Sequence, residues 1–347
     1  MSALKDVAES QRFDLAALEA HLARHLPGWQ GPLEVRQFEG GQSNPTFLLS
    51  TPAASWVMRT KPGPAAKLLP SAHAIEREFH VMRALEGRGF PVPSCRLLVE
   101  DEAVIGRAFY VMDRVEGRIF WDPSLPGMAP AERSAIFDEM NRVLVQLHAV
   151  DIERAGLSDY GRAGNYFERQ IARWSKQYRA SETEPVAAMD ALIDWLPTHV
   201  PAGEAIAVVH GDYRLDNLIF HPSEPRVLAV IDWELSTLGH PLADLSYHCM
   251  AWHIPPGAFR GLAGLDLAAL GIPSEAEYIA RYCERSGRDG IANWNFYLAY
   301  NLFRLAAILQ GVYKRASEGM AASSNSLQAG RNARALAELG WTYAQKT

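Results

Sequence analysis

The first third of the chain alternates between helix-like and strand-like spacing of apolar residues. Asp14, a residue type that caps helices, precedes leucines spaced by three or four positions, and Pro27-Gly28 ends that amphipathic helix. Runs of β-forming residues predict an antiparallel meander at 34–38, 46–51 and 55–59, and two further strands at 96–99 and 107–113. A second helical face begins after Ala74 and consists of Ile75, Phe79, Met82 and Leu85.

The rest of the chain is dominated by helical spacing. One predicted helix, for instance, has a single apolar face formed by Ile136, Met140, Val143 and Leu147. Three short apolar runs, each ending beside polar residues, are predicted to be strands with candidate catalytic residues at their ends: 207–209, 218–220 and 228–231. The change of pattern near 113–117 predicts a boundary between two lobes.

Composition and charge argue against several classes of protein. A chain of 347 residues with 48% hydrophobic content can bury a core and is long for one simple domain. The net charge is −6 and the basic residues are scattered, which argues against nucleic-acid and membrane-surface partners. Without a signal region or a long uncharged apolar run, a cytoplasmic protein is expected. Cys95, Cys249 and Cys283 lack the spacing of a disulfide framework or a zinc site.

The clearest chemical signal is the segment His210-Gly211-Asp212-Tyr213-Arg214-Leu215-Asp216-Asn217, which follows a predicted strand. Its H-x-D-x-x-x-x-N spacing is that of a kinase catalytic loop, and Asp232 falls where kinases carry a metal-binding Asp. With Gly after the His, the chain resembles the aminoglycoside phosphotransferase and choline-kinase-like family over almost its whole length. This resemblance implies an α+β, protein-kinase-like two-lobed fold. Residues 1–113 would form the nucleotide-binding lobe, an antiparallel sheet plus a helix, and residues 114–347 a mostly helical catalytic and substrate-binding lobe.

The spacing also fits the chemistry of phosphoryl transfer. An alcohol is a poor nucleophile, so a carboxylate must orient it and accept its proton, and Asp212 is predicted to be this catalytic base. Asn217 and Asp232 offer the hard oxygen ligands that Mg²⁺ prefers beside nucleotide phosphates. Arg214, placed where protein kinases have a Lys, is expected to contact the transferred phosphoryl group. Any one of Asp212, Asn217 and Asp232 alone would be interpreted as a turn residue, but their joint spacing favours catalysis. His210 is interpreted as a scaffold residue.

Upstream segments match the nucleotide-binding parts of the family in the expected order. Arg59 takes the strand position where kinases carry the Lys that holds the α and β phosphates, and Glu78 matches the acid that pairs with it. A solvated helix face is the alternative for Glu78. Lys61 could hold the phosphates instead, but Arg59 is favoured because Pro62 ends the strand. The loop at 38–44 resembles the phosphate-covering loop, although it lacks a full G-x-G-x-x-G, and its nucleotide-binding residues would be Gly40, Gly41, Ser43 and Asn44.

The strand ending at 113 resembles the one that enters the kinase hinge. By that resemblance, Met112 would line the adenine pocket, and backbone groups of Arg114 and Val115 would hydrogen-bond the purine. A plain strand and turn is the alternative, because this segment alone does not identify a nucleotide site. Asp244 matches an acid that braces the catalytic loop through its backbone and is interpreted as structural.

The predicted function is a magnesium-dependent kinase that transfers the γ-phosphoryl group of ATP or GTP to a hydroxyl of a small molecule. The first lobe resembles the kinase-like domain that some eukaryotic proteins carry fused to acyl-CoA dehydrogenases, which implies a hydroxyacyl thioester acceptor. An aminoglycoside acceptor and a non-catalytic nucleotide-binding protein are the alternatives. A polycationic aminoglycoside would favour a dense acidic patch, whereas the predicted acceptor-pocket residues are apolar or aromatic: Tyr247, Met250, Trp252, Ile254, Pro255 and Pro256.

Overall fold

A computed structural model describes residues 4–39, 44–63, 74–257, 260–318 and 326–346. Its strands are β1 (Leu4–Lys5), β2 (Glu34–Phe38), β3 (Thr46–Ser50), β4 (Ser55–Thr60), β5 (Cys95–Val99), β6 (Phe109–Asp113), β7 (Ala207–Val209), β8 (Leu218–Phe220), β9 (Val227–Val230) and β10 (Thr237–Gly239). Its helices are α1 (Leu15–His25), α2 (Ile75–Glu86), α3 (Pro130–His148), α4 (Tyr166–Ser181), α5 (Ala187–Trp195), α6 (Pro241–Cys249), α7 (Leu267–Leu270), α8 (Glu275–Ser286), α9 (Trp294–Ser317) and α10 (Ser326–Ala344).

The chain groups into two compact units. The first consists of Met1–Ile119, Glu153–Tyr160 and Asn217–Leu235, and the second of Phe120–Ile152, Gly161–Asp216 and Ser236–Thr347. The segment after Asn217 therefore groups with the N-terminal sheet. The functional division at residue 113 stays a prediction.

The first unit is built on an antiparallel sheet with the strand order β1-β2-β3-β4-β6-β5. Alternation along β4 buries Trp56 and Met58 on the face that carries the hydrophobic core, where Leu18 and Leu22 of α1 are also buried. The predicted cap of α1 is present, since the Asp14 side chain accepts a hydrogen bond from the amide of Ala17 at 2.9 Å. The same alternation places Arg59 on the face opposite to this core.

A short hairpin of β8 and β9 belongs to the same unit and pairs Leu218 with Val230. The structure ends β9 at Val230, one residue before the predicted end, because the chain turns into a 3₁₀ helix at Trp233–Leu235. Trp233 is buried and its indole donates to the carbonyl of Val230 at 3.0 Å. This anchor fixes the backbone that follows Asp232.

The second unit is mostly helical and contains a small antiparallel pair of β7 and β10. Its central helix α9 is buried along most of its length, including the polar residues Asn301 and Arg304, as expected for a core helix. Within the described ranges, no helix combines the length and the apolar character needed to cross a membrane. The helix α6 is buried at every position and follows β10 directly, which places it beside the segment after β7.

Candidate active site

The predicted catalytic loop begins where β7 ends, and Gly211 adopts the left-handed conformation there with φ of +81°. The buried carboxylate of Asp244 accepts hydrogen bonds from the amides of His210 at 2.5 Å and Gly211 at 2.7 Å. Burial works to raise the pKa of Asp244, but His148, His210 and the Gly211 amide outweigh it and hold that pKa below its usual range. Asp244 therefore braces the loop as an ionised acceptor.

The Asp212 carboxylate is held by two side chains of the same unit. The hydroxyl of Tyr247 donates to Oδ1 of Asp212 at 2.5 Å, and Nε of Arg214 lies 3.0 Å from the same oxygen. The amide of Asp212 donates to Nδ1 of His210 at 3.2 Å, so this histidine contacts the loop as a scaffold residue would. These contacts fix the orientation of the carboxylate from both its side chain and its backbone.

The structure places the Arg214 guanidinium between two carboxylates, because Nη2 also lies 3.4 Å from Oδ2 of Asp216. Asp216 forms a second ion pair with Arg260, whose guanidinium stacks over Trp121 at 4.7 Å from the ring centroid. The predicted contact of Arg214 with a phosphoryl group stays a prediction. The guanidinium that would make it is shared with carboxylates in this structure.

An apolar pocket of about 570 Å³, counting the space at its open mouth, lies beside these residues in the second unit. Tyr247 and Arg214, which both contact Asp212, belong to its lining. Its other lining residues are Trp121, Pro123, Phe137, Met140, Leu215, Asp216, His248, Met250, Ala251, Ile254 and Arg260. The pocket predicted from the apolar segment after Leu245 is thus present, with Tyr247, Met250 and Ile254 in its wall.

Trp252, Pro255 and Pro256 correct that prediction, because they are not among the residues that line this pocket. The indole of Trp252 is buried instead, where it donates to the carbonyl of Pro273 at 2.8 Å and packs edge-on against Phe137. The two prolines are exposed.

In the first unit, Arg59 is the centre of a cluster of three acids. Its Nε lies 3.1 Å from Oε2 of Glu78, and its Nη2 donates to Asp232 at 2.9 Å and Glu234 at 3.3 Å. Burial works to lower the pKa of Arg59, but the charges of Glu78 and Asp232 outweigh it and raise that pKa. The arginine is therefore a permanent positive charge, and the predicted ion pair with Glu78 is present.

Glu78 is buried rather than on a solvated helix face, which was the alternative interpretation. Its carboxylate accepts hydrogen bonds from the Asn44 amide at 2.8 Å and the Tyr110 hydroxyl at 3.0 Å. Lys61, the competing candidate for the phosphates, forms an ion pair with Glu76 on the first turn of α2. Asn44 thus lies against Glu78, whereas the other loop residues predicted to bind nucleotide lie outside the described residues: Gly40, Gly41 and Ser43.

The two predicted magnesium ligands lie at the same end of the β8–β9 hairpin. Asn217 directly precedes β8, Asp232 follows β9, and the carbonyl of Asn217 accepts a hydrogen bond from the amide of Ile231 at 2.9 Å. Asp232 has a left-handed backbone with φ of +69°, a region that glycine, asparagine and aspartate occupy more readily than other residues. An amide and a carboxylate at neighbouring strand ends fit a Mg²⁺ ion that takes its other ligands from phosphates and water.

The predicted hinge residues lie at and after the end of β6. Met112 is buried and pairs with Val57 of β4 in the sheet. Arg114 and Val115 follow the strand in an irregular, half-buried segment, where the Arg114 guanidinium lies 3.4 Å from the Glu116 carboxylate. Their contacts with a purine stay a prediction.

Tyr247 and Glu234 are site residues whose contacts the sequence did not indicate. Tyr247 lies three residues after Asp244 on α6, a spacing that places both on one face of a helix. Because Asp244 was interpreted as the residue that braces the loop, this spacing could have indicated that Tyr247 lies beside the loop as well. Glu234 is two residues after Asp232, and no spacing rule connects it to Arg59.

Comparisons with known proteins agree with these features. The model of the phosphotransferase enzyme family matches residues 34–295. A solved structure from Ralstonia eutropha, provisionally described as an aminoglycoside phosphotransferase, is 60% identical, covers 96% of this chain and 99% of its own, and superposes with a TM-score of 0.88. Choline kinase from Cryptosporidium parvum, at 12% identity, covers 96% of this chain and 95% of its own with a TM-score of 0.66, a likeness of fold alone.

Acyl-CoA dehydrogenase family member 10 of Mus musculus is 50% identical over 318 residues, which cover 91% of this chain and 30% of that protein. The chain thus spans about a third of the length of this relative. The predicted kinase-like α+β fold, with an antiparallel sheet in the N-terminal region and helices in the C-terminal region, is confirmed. On the family match over most of the chain, this protein belongs to the phosphotransferase enzyme family.

Proposed function

We propose that this protein is a small-molecule kinase that transfers the γ-phosphoryl group of ATP or GTP to an alcohol hydroxyl. The observation that carries the proposal is the placement of Asp212. Its carboxylate is held by Tyr247 and Arg214, and both of these residues line an apolar pocket that opens to the surface. A base beside such a pocket is what the activation of a hydroxyl group requires.

In the proposed reaction, the Asp212 carboxylate accepts the proton of the acceptor hydroxyl while the hydroxyl oxygen forms a bond to the γ-phosphorus. The bond between that phosphorus and the β–γ bridging oxygen breaks, and the nucleoside diphosphate leaves with the electron pair. The Arg214 guanidinium, already beside Asp212, would neutralise charge on the transferred group. Positioning and electrostatic stabilisation thus supply most of the catalysis.

The first unit would bind the nucleotide. Arg59 would hold the α and β phosphates through the side of its guanidinium that the three acids leave available, while Glu78 fixes the direction of the side chain. Asn217 and Asp232 would hold Mg²⁺, which when bound neutralises charge on the phosphate oxygens. The loop at 40–44 would cover the phosphates, and residues 112–115 would contact the base.

The charges in the pocket support an uncharged or anionic acceptor. Arg214 and Arg260 line it, and Asp216 is the acidic residue in its wall. A polycationic aminoglycoside would meet two guanidinium groups there, with one carboxylate that already pairs with both. A hydroxyacyl thioester, with an apolar chain for the pocket, fits this lining better.

A panel of acceptors tests the proposal. ADP release would be measured with hydroxyacyl thioesters of several chain lengths and hydroxyl positions, with the matching acyl thioesters that lack the hydroxyl, and with kanamycin-like aminoglycosides. We expect the hydroxylated thioesters to give the highest kcat/KM and their matched controls to give none. An aminoglycoside with the highest kcat/KM would reverse the choice of acceptor. ATP binding without transfer to any member would favour a non-catalytic nucleotide-binding protein.

A further inference from the structure

Tyr247 is a buried residue of α6 whose hydroxyl lies 2.5 Å from Oδ1 of Asp212. Burial, and then the charge of Asp212, raise the pKa of Tyr247 well above its ordinary value. The phenol therefore keeps its proton at neutral pH and acts as a hydrogen-bond donor. A donor this close also fixes the direction in which the carboxylate points, and a base must point at the proton that it accepts.

The aromatic ring of Tyr247 is itself fixed from α9. The guanidinium of Arg304 lies 5.2 Å from the ring centroid, and its Nη2 donates to the carbonyl of Gly211 at 2.7 Å. One buried cation thus contacts both the tyrosine and the backbone of the catalytic loop. Three residues earlier on α9, the amide of Asn301 donates to the carbonyl of Ala243 and the hydroxyl of Ser246, which fixes α6 against α9.

Two residues of α6 hold different parts of the catalytic loop. Asp244 holds the backbone of the loop through two amides, and Tyr247, on the next turn, holds the side chain of Asp212. Arg214 contacts the same carboxylate oxygen, but in the proposed reaction its guanidinium also serves the phosphoryl group. The Tyr247 hydroxyl has no role at the phosphoryl group in that reaction, so it can keep the carboxylate oriented throughout the transfer while the residue also lines the pocket.

We propose that Tyr247 is a positioning residue for phosphoryl transfer: its hydroxyl orients the Asp212 carboxylate toward the acceptor. This inference rests on the function proposed above and extends it to a residue outside the H-x-D-x-x-x-x-N segment. Its action on the acceptor passes through Asp212.

Tyr247→Phe tests the proposal, because it removes one hydroxyl and leaves the ring beneath Arg304. Loss of a hydrogen bond to a charged group should lower kcat by roughly tenfold to a hundredfold, with little change in the KM for ATP. The assays would use MgATP with the best thioester of the panel, and MgATP hydrolysis in which water replaces the acceptor.

Tyr278→Phe is the matched control, since the hydroxyl of Tyr278 is also buried and has no hydrogen-bond partner in the described part of the chain. We expect its kcat and its KM for ATP to equal those of the unaltered protein. If Tyr247→Phe behaves like this control while Asp212→Asn abolishes transfer, the role of Tyr247 is overturned and the proposed function survives. If Asp212→Asn retains full activity, the base assignment and the role of Tyr247 both fail. Thermal unfolding of the two Phe variants verifies that any difference is not one of folding.

Discussion

Replacement of Arg59 tests how the first unit holds its charges and binds the nucleotide. Arg59→Ala removes three ion-pair contacts at once and leaves Glu78, whose side chain is 2% exposed, without its counter-charge. Removing one partner of a buried ion pair costs about 3–5 kcal/mol. We expect a loss near the lower end of that range, because Asn44 and Tyr110 still donate to the carboxylate.

Lys61→Ala is the matched comparison on the same strand end. Its ion pair with Glu76 joins side chains that are 29% and 28% exposed, and pairs of that kind contribute about 0–1 kcal/mol. Urea unfolding should therefore separate the two variants by about 2 kcal/mol or more. Glu78→Gln in the Arg59→Ala background should recover part of the loss, since it removes the unpaired buried charge.

The KM for ATP, measured for the same variants, tests the effect of these residues on nucleotide binding. Loss of one charge-assisted contact with a phosphate should raise it by roughly tenfold to a hundredfold in Arg59→Ala. Arg59→Lys, which restores the residue type of most kinases, should fall between this variant and the unaltered protein. A larger rise in Lys61→Ala than in Arg59→Ala would transfer the phosphate-binding role to Lys61. Equal unfolding free energies for the two alanine variants would refute the reasoning about the buried pair.

Two further predictions concern the residues assigned to the base and the metal. Asp212→Asn keeps the shape of the side chain but cannot accept the proton, so kcat should fall by about 10² to 10⁴-fold. The thermal midpoint should stay nearly unchanged, and unaltered transfer would show that another group is the base. Mg²⁺ should bind weakly alone and more tightly with ATP, and Asp232→Asn should weaken the binding that depends on ATP. Calorimetry that finds tight Mg²⁺ binding without nucleotide, in both the unaltered protein and the variant, would contradict the ligand assignment.

Local patterns were sufficient for the elements around Arg59, whereas β10 and α6, which position Asp244 and Tyr247, were not predicted. Asp14 caps α1 as its residue type suggests, and the alternation in β4 places Arg59 away from the core. Strand ends were predicted to within two residues: β6 begins at Phe109 rather than at residue 107, for example. These features depend on residues close in sequence, where periodicity and capping preferences carry the information.

Contacts between distant side chains could not be predicted in the same way. Tyr247 reaches Asp212 across 35 positions, and Arg59 reaches Asp232 across 173. The indole of Trp252 has a hydrogen-bond acceptor, Pro273, that no local pattern connects to it, which is why the tryptophan is buried there rather than in the pocket wall. Helical spacing identifies which residues share a face, but the partner of that face depends on the packing of the whole unit.

The left-handed backbone of Asp232 has a consequence for how this position can vary. Glycine adopts this conformation most readily, but it also gives the unfolded chain more freedom, so the backbone alone offers little gain from a glycine here. Such a glycine would remove the carboxylate that pairs with Arg59 and that we propose binds Mg²⁺. The contacts of the carboxylate, rather than the backbone conformation, therefore decide which residues this position can accept.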